Sequence, residues 1–172
     1  MKDLNRYIKE SILDDEDDLL TKADITIQIM EWLKLNKNAY NIKNWKVNKD
    51  NTIDADSIQS LNCLDFDLPD FIQFNYVKEM KITGAYGLQS FKGFPKKCDK
   101  LILSNLQNGS FESFPKDAKY DMIIVNDFYN IKSLKGLPKS KYARIFSMPN
   151  LVSLEDLDTE TLDLFSCQKL KT

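Results

Sequence analysis

Histidine is absent from the 172 residues, and arginine occurs only as Arg6 and Arg144. Without histidine, the chain has no access to the commonest general base, the commonest metal ligand, or the Ser-His and Cys-His pairs of nucleophilic catalysis. The 24 basic and 26 acidic residues leave a net charge of −2, which gives no general reason to expect nucleic-acid binding. Composition therefore points away from most hydrolases and from nucleic-acid partners.

Cysteine and long apolar runs are also scarce. Cys63, Cys98 and Cys167 are odd in number and widely spaced, which argues against a disulfide framework or a metal site and predicts buried free thiols. No apolar run approaches the roughly 18 residues that span a bilayer, and the N-terminus lacks the apolar core of a secretory signal. These observations predict a soluble, intracellular protein without a membrane partner.

Residues 1–51 are predicted to form a helical cap with a small hairpin. Leu4, Tyr7, Ile8 and Ile12 have helical spacing, and the acidic run 14–18 then predicts a solvated surface segment. Asp24 is the expected N-cap of a helix over about residues 25–36. Within residues 45–53, apolar and polar residues alternate on both sides of a polar turn, which predicts the hairpin. The candidate inward face of the helix consists of Ile29, Met30, Trp32 and Leu33.

The rest of the chain repeats. Segments 88–95, 110–115, 131–138 and 151–157 share one outline, and their serines at 90, 110, 133 and 153 are 20, 23 and 20 residues apart. A short alternating apolar stretch precedes each segment, which predicts one inward-facing strand per coil of a parallel ladder. Replacing Leu103 or Ile124 with Ala should then cost about 2–5 kcal/mol. The expected inward pairs are Met80/Ile82, Leu101/Leu103, Met122/Ile124, Ala143/Ile145 and Leu162/Leu164.

Repeats of about 20 residues with this design are typical of the shortest leucine-rich repeats. Asn105 and Asn126 are predicted to form the asparagine ladder that bonds backbone at the bend after each strand. The first unit, about residues 52–79, leaves its register open, because Ile53/Ala55 and Ile58/Ser60 both suit a strand. The last unit stops in mid-repeat, and its edge strand 162–166 is expected to pair with another copy or a partner.

Several stretches resemble the leucine-rich-repeat-like proteins of large tailed bacteriophages. The similarity lies in residues 52–56, Leu68-Pro69 and 133–138, and the opening residues 1–11 resemble phage N-termini. The resemblance implies an α+β fold, with a helical N-terminal cap followed by a leucine-rich-repeat-type solenoid of about five to six coils over residues 52–172. It also implies a protein of the infected host's cytoplasm. In T-even-like phages a head protease cuts after Ile-x-Glu, which makes Ile8 and Glu10 a candidate processing site and the virion the alternative location.

An enzyme is not expected. The pairs Asp54-x-Asp56 and Asp65-x-Asp67 could hold a metal, but each lies in a predicted strand or turn where Asp commonly bonds local backbone. Gly84 and Gly87 lack the spacing and the Lys-Ser/Thr end of a phosphate-binding loop. Serines that recur with the coil are structural. We therefore expect no catalytic residue, no cofactor and no metal.

A protein-binding face has positive support. Residues between the inward pairs point outward in two columns, and an exposed apolar patch of this kind usually meets a partner. The first hypothesis is a phage-encoded protein that grips a host or phage protein, such as a host defence enzyme, and the alternative is a virion structural or internal head protein. The expected concave-face residues are Lys81, Thr83, Ile102, Ser104, Ile123, Val125, Arg144, Phe146, Asp163 and Phe165.

Overall fold

The computed structural model of the protein describes residues 21–61, 68–88, 90–107 and 110–170. Within this part of the chain, a helix is followed by a single sheet whose strands lie in sequence order. Strands β2 to β7 are parallel, so the chain makes about five turns of a β-solenoid. The elements are α1 Lys22–Asn36, β1 Lys46–Val47, β2 Ile53–Leu61, β3 Phe74–Thr83, β4 Lys97–Ser104, β5 Lys119–Asn126, β6 Lys139–Phe146 and β7 Thr159–Phe165.

Helix α1 begins with a capping box. The Thr21 side chain accepts from the Asp24 backbone N–H at 3.2 Å, and the Asp24 carboxylate accepts from the Thr21 backbone N–H at 3.1 Å. The prediction of Asp24 as the N-cap is therefore wrong by three residues. Ile29 and Leu33 are buried as predicted, whereas Met30 and Trp32 are only half-buried. The predicted helix over residues 3–13 and the acidic run both lie outside the described residues.

Strand β1 and the start of β2 form the hairpin predicted around residues 45–53, with Lys46 opposite Asp54 and Val47 opposite Ile53. The two alternatives for the first repeat belong to the same strand. Ile53, Ala55 and Ile58 are buried along β2, with two residues between the last two of them. The alternation of inward and outward residues thus shifts phase once within the strand, and both Ile53/Ala55 and Ile58/Ser60 face the core.

Each coil turns its corner with a residue of positive φ directly after the strand. In the first four corners the backbone N–H of this residue donates to the last strand carbonyl of the next coil, at distances of 3.0 to 3.4 Å. Gly, Asn, Asp and Ser tolerate or locally stabilise this left-handed conformation better than branched residues. The corner residues are Gly84, Asn105, Asp127, Ser147 and Ser166.

The predicted asparagine ladder is wrong. The Asn105 amide donates to the Tyr86 hydroxyl at 2.8 Å, and the Asn126 amide donates to the Ser104 side chain at 2.9 Å. Asn126 is the last residue of β5 and Asp127 takes the corner, because this coil is one residue longer than its predecessor. Successive corners are therefore joined by backbone N–H groups, which any residue type can supply.

The register in β5 differs from the prediction for the same reason. Ser104 pairs with Asn126, 22 residues later, whereas Thr83 pairs with Ser104 after 21. Ile123 and Val125 are fully buried, so Met122 and Ile124 point outward. The other predicted inward pairs do face the core. Their side chains are fully buried in β3, β4 and β6 and partly buried in β7.

The back of the solenoid is built from the recurring serine segments. Each serine hydroxyl oxygen accepts from the backbone N–H two residues later, at 3.0 to 3.2 Å, which confirms the predicted structural role of Ser90, Ser110, Ser133 and Ser153. Phenylalanines fill the space between this side and the sheet. The rings of Phe91 and Phe114 stack with centroids 4.2 Å apart, and Phe94 meets each of them edge-on.

Candidate functional site

The outward side of the parallel sheet presents three columns of side chains, which we name the sheet face. Strand pairing fixes the columns, because residues in register lie side by side on neighbouring strands, about 4.8 Å apart. From β3 to β7 they are Glu79, Lys100, Met122, Tyr142 and Thr161; Lys81, Ile102, Ile124, Arg144 and Asp163; and Thr83, Ser104, Asn126, Phe146 and Phe165.

Eight of the ten residues predicted for the concave face lie on the sheet face. Ile123 and Val125 do not, because the longer coil turns both of them into the core. Met122 and Ile124 take the outward positions. The column that begins at Glu79 was not predicted at all. It arises because two consecutive residues of each strand, such as Lys78 and Glu79, separate the buried Val77 from the buried Met80.

The centre of the sheet face is apolar. Ile102 and Ile124 are neighbours in one column, and Met122 lies in the adjacent column of β5. All three side chains are half-buried. Phe146 and Phe165 continue the apolar surface in the third column, and Phe165 is 55% exposed. The result is an apolar stripe that runs obliquely across four strands.

The margin of the sheet face carries a bonded cluster of Tyr142, Arg144 and Asp163. The Tyr142 hydroxyl donates to the Asp163 carboxylate, and the Arg144 guanidinium binds the same oxygen at 3.0 Å. These two donors, the tyrosine first, hold the pKa of Asp163 below its usual value. The Arg144 guanidinium also lies 5.7 Å from the centre of the Tyr142 ring. An arginine and a tyrosine are thereby fixed in position beside the apolar stripe.

The paired carboxylates do not form a metal centre in the described residues. Asp54 accepts from the Asn75 amide at 3.0 Å, and Asp56 accepts from the Asn44 amide at 2.7 Å. Across the described ranges, no group of three or more His, Cys, Asp or Glu side chains is placed to hold a metal ion. Asp65 and Asp67 lie outside those ranges.

The two described cysteines differ in burial. Cys98 is only 3% exposed, and burial raises the pKa of its thiol to about 12, whereas Cys167 is half-buried. A protonated, inaccessible thiol reacts slowly, so we expect alkylation of Cys98 in the folded protein to be at least about tenfold slower than alkylation of Cys167. Peptide mass spectrometry after timed labelling measures both rates. Equal alkylation rates of the two cysteines in the folded protein would contradict the burial of Cys98 in β4. As the control, both cysteines should react at the same rate in urea.

Comparison of the chain with protein-family models, curated proteins and solved structures finds no match. The structure itself defines the fold class, which is a helix followed by a parallel β-solenoid. No helix among the described residues is long and apolar enough to cross a membrane.

Proposed function

We propose that the protein is a non-enzymatic binding solenoid of the leucine-rich type, encoded by a bacteriophage, that grips a host or phage protein through the sheet face. The observation that carries this proposal is the apolar stripe of Ile102, Met122, Ile124, Phe146 and Phe165 on the outward side of the parallel sheet. Contiguous apolar surface that remains exposed in a folded protein is typical of interaction sites.

The residue types on the sheet face also favour protein recognition. Interface hot spots are rich in tyrosine and arginine and lie beside well-packed apolar groups. Tyr142 and Arg144 meet this description, because Asp163 holds both of them in place next to Ile124 and Phe146. Such preorganisation lowers the entropy lost on binding. A host defence enzyme inhibited by this contact is the partner we propose first.

The proposal is tested by affinity capture with two matched variants. Ile124→Asp places a charge in the apolar stripe, whereas Val152→Asp places the same charge on the back of the solenoid, where Val152 is 42% exposed. We expect Ile124→Asp to weaken partner binding at least about 30-fold, the effect of a hot-spot loss of about 2 kcal/mol, and Val152→Asp to retain it. Equal capture by both folded variants would contradict binding through the sheet face.

A virion protein is the second candidate, favoured by the triplet Ile8-Lys9-Glu10. Mass spectrometry of purified virions distinguishes the two proposals. A chain that begins at Ser11 in the virion supports the head protein, whereas its absence from virions together with one host enzyme in the capture supports the interaction protein.

A further inference from the structure

Strand β7 pairs with β6 on one side only. No residue within the described ranges pairs with its other side, which we name the β7 edge. The Phe165 carbonyl accepts from the Ser147 backbone N–H at 3.2 Å, so Phe165 bonds towards β6. Neighbouring residues of a strand direct their backbone groups to opposite sides, so Leu164 directs its N–H and C=O to the β7 edge. A row of such groups is a template for a further strand.

The apolar core is also less well covered at the β7 edge. Leu162 and Leu164 are half-buried, whereas Ala143 and Ile145, at the paired positions of β6, are fully buried. On the back of the same coil, Leu157 is half-buried as well. A strand added to β7 would therefore cover apolar side chains and satisfy backbone groups at the same time.

The last two coils carry opposite charges. Residues 128–154 contain five basic residues and no acidic residue, whereas residues 155–170 contain five acidic residues and one lysine. The two coils attract each other across the β6–β7 pair, where Lys139 binds Asp158 at 3.0 Å. Glu160, like Asp158, remains exposed. The acidic coil thus has a basic neighbour at β6, and its charge favours another basic neighbour at the β7 edge.

We propose that the β7 edge binds an extended, basic segment of a partner protein, which adds one strand to the sheet. Its basic side chains would lie on the outer side of the sheet and its apolar side chains towards the core. Strand β6 shows the pattern that fits, because it pairs with β7 with Lys141 and Arg144 outward and with Ala143 and Ile145 inward. Addition of a strand to a sheet edge gives affinity through the backbone and specificity through alternate side chains. This site is separate from the sheet face and goes beyond the function proposed for that face.

A second copy of the chain fits the β7 edge poorly. Its own β7 edge carries the same acidic residues, and like charges on opposite strands destabilise pairing. Its β2 edge is already covered, because the Gln59 backbone N–H donates to the Tyr40 carbonyl at 2.9 Å and the Asp56 backbone N–H donates to the Lys43 carbonyl at 3.0 Å. Of the two occupants that the sequence leaves open for this edge, the charges therefore favour a partner.

The probe is a synthetic peptide with the sequence of residues 139–147, titrated against the full chain at low salt and followed by fluorescence anisotropy. We expect it to bind at least about tenfold more tightly than the same peptide with Lys139→Glu, Lys141→Glu and Arg144→Glu. Its binding should also slow hydrogen exchange of the Leu164 amide. Equal affinities of the two peptides, or no binding of either, overturns the proposal. Protection of the Leu164 amide by dimerisation of the chain without peptide overturns it as well, because a second copy would then occupy the edge.

Two matched double variants of the protein test where the peptide binds. Asp158→Asn with Glu160→Gln removes two charges beside the β7 edge, and Asp70→Asn with Glu31→Gln removes the same charges from exposed positions near the other end of the fold. We expect the first variant to weaken peptide binding at least about threefold and the second to leave it unchanged. Equal losses would show general charge attraction and overturn the proposal. Ile124→Asp should bind the peptide normally, so the β7 edge and the sheet face can fail independently.

Discussion

Gly136→Ala should lower the free energy of unfolding by at least about 2 kcal/mol. Gly136 has φ +85°, in the left-handed region that residues with a Cβ adopt only at a cost. A Cβ at this position would also lie 2.6 Å from both the Cα and the backbone N of Glu112 in the preceding coil. Backbone atoms cannot yield as a side chain can, so neighbouring coils would have to separate. Urea denaturation followed by circular dichroism measures the effect.

The matched control is Asp156→Gly, which removes a side chain at the same position of the following repeat. Asp156 is exposed and already holds a positive φ of 63° with its side chain in place. Glycine adopts that conformation freely, so the variant should stay within about 1 kcal/mol of the parent. A Gly136→Ala protein as stable as Asp156→Gly would mean that the two coils are not packed as closely as described.

The solenoid could be predicted from the sequence because two independent patterns recur with nearly the same period. One is the serine segment, whose hydroxyl bonds the backbone two residues later, and the other is the alternating strand. Each coil satisfies the same local bonds, so the pattern repeats wherever the structure does. The corner after each strand was harder to predict, because Gly84, Asn105, Asp127 and Ser147 share only a tolerance of positive φ.

The sheet face could be predicted only where the alternation of apolar and polar residues is clear. In β6, Ala143 and Ile145 alternate with Tyr142 and Arg144, and the inward pair was identified correctly. In β5 the four residues Met122 to Val125 are all apolar, so alternation cannot fix the phase. The phase of β5 then depends only on the spacing between paired residues of β4 and β5, which is 22 residues instead of the 21 between β3 and β4.

Ile123→Ala and Ile124→Ala should differ strongly although the two residues are adjacent and chemically identical. Ile123 is fully buried in the core, so its truncation leaves a cavity and should cost about 2–5 kcal/mol. Ile124 is half-buried on the sheet face, and its truncation should cost less than about 1 kcal/mol. Leu103→Ala, which empties a buried position in β4, should resemble Ile123→Ala. Urea denaturation of the three variants measures these differences.

The same three variants test the binding face. Ile124→Ala removes part of the apolar stripe without unfolding the protein, so it should weaken capture of the proposed partner while stability stays near that of the parent. Ile123→Ala, studied well below its melting temperature, should bind normally because its side chain faces the core. If Ile124→Ala were the more destabilising of the two, the phase of β5 would be reversed, and Met122 and Ile124 would belong to the core. A larger loss of stability in Ile123→Ala and a larger loss of binding in Ile124→Ala would instead support the observed phase of β5. That phase follows from the one extra residue between the paired positions of β4 and β5.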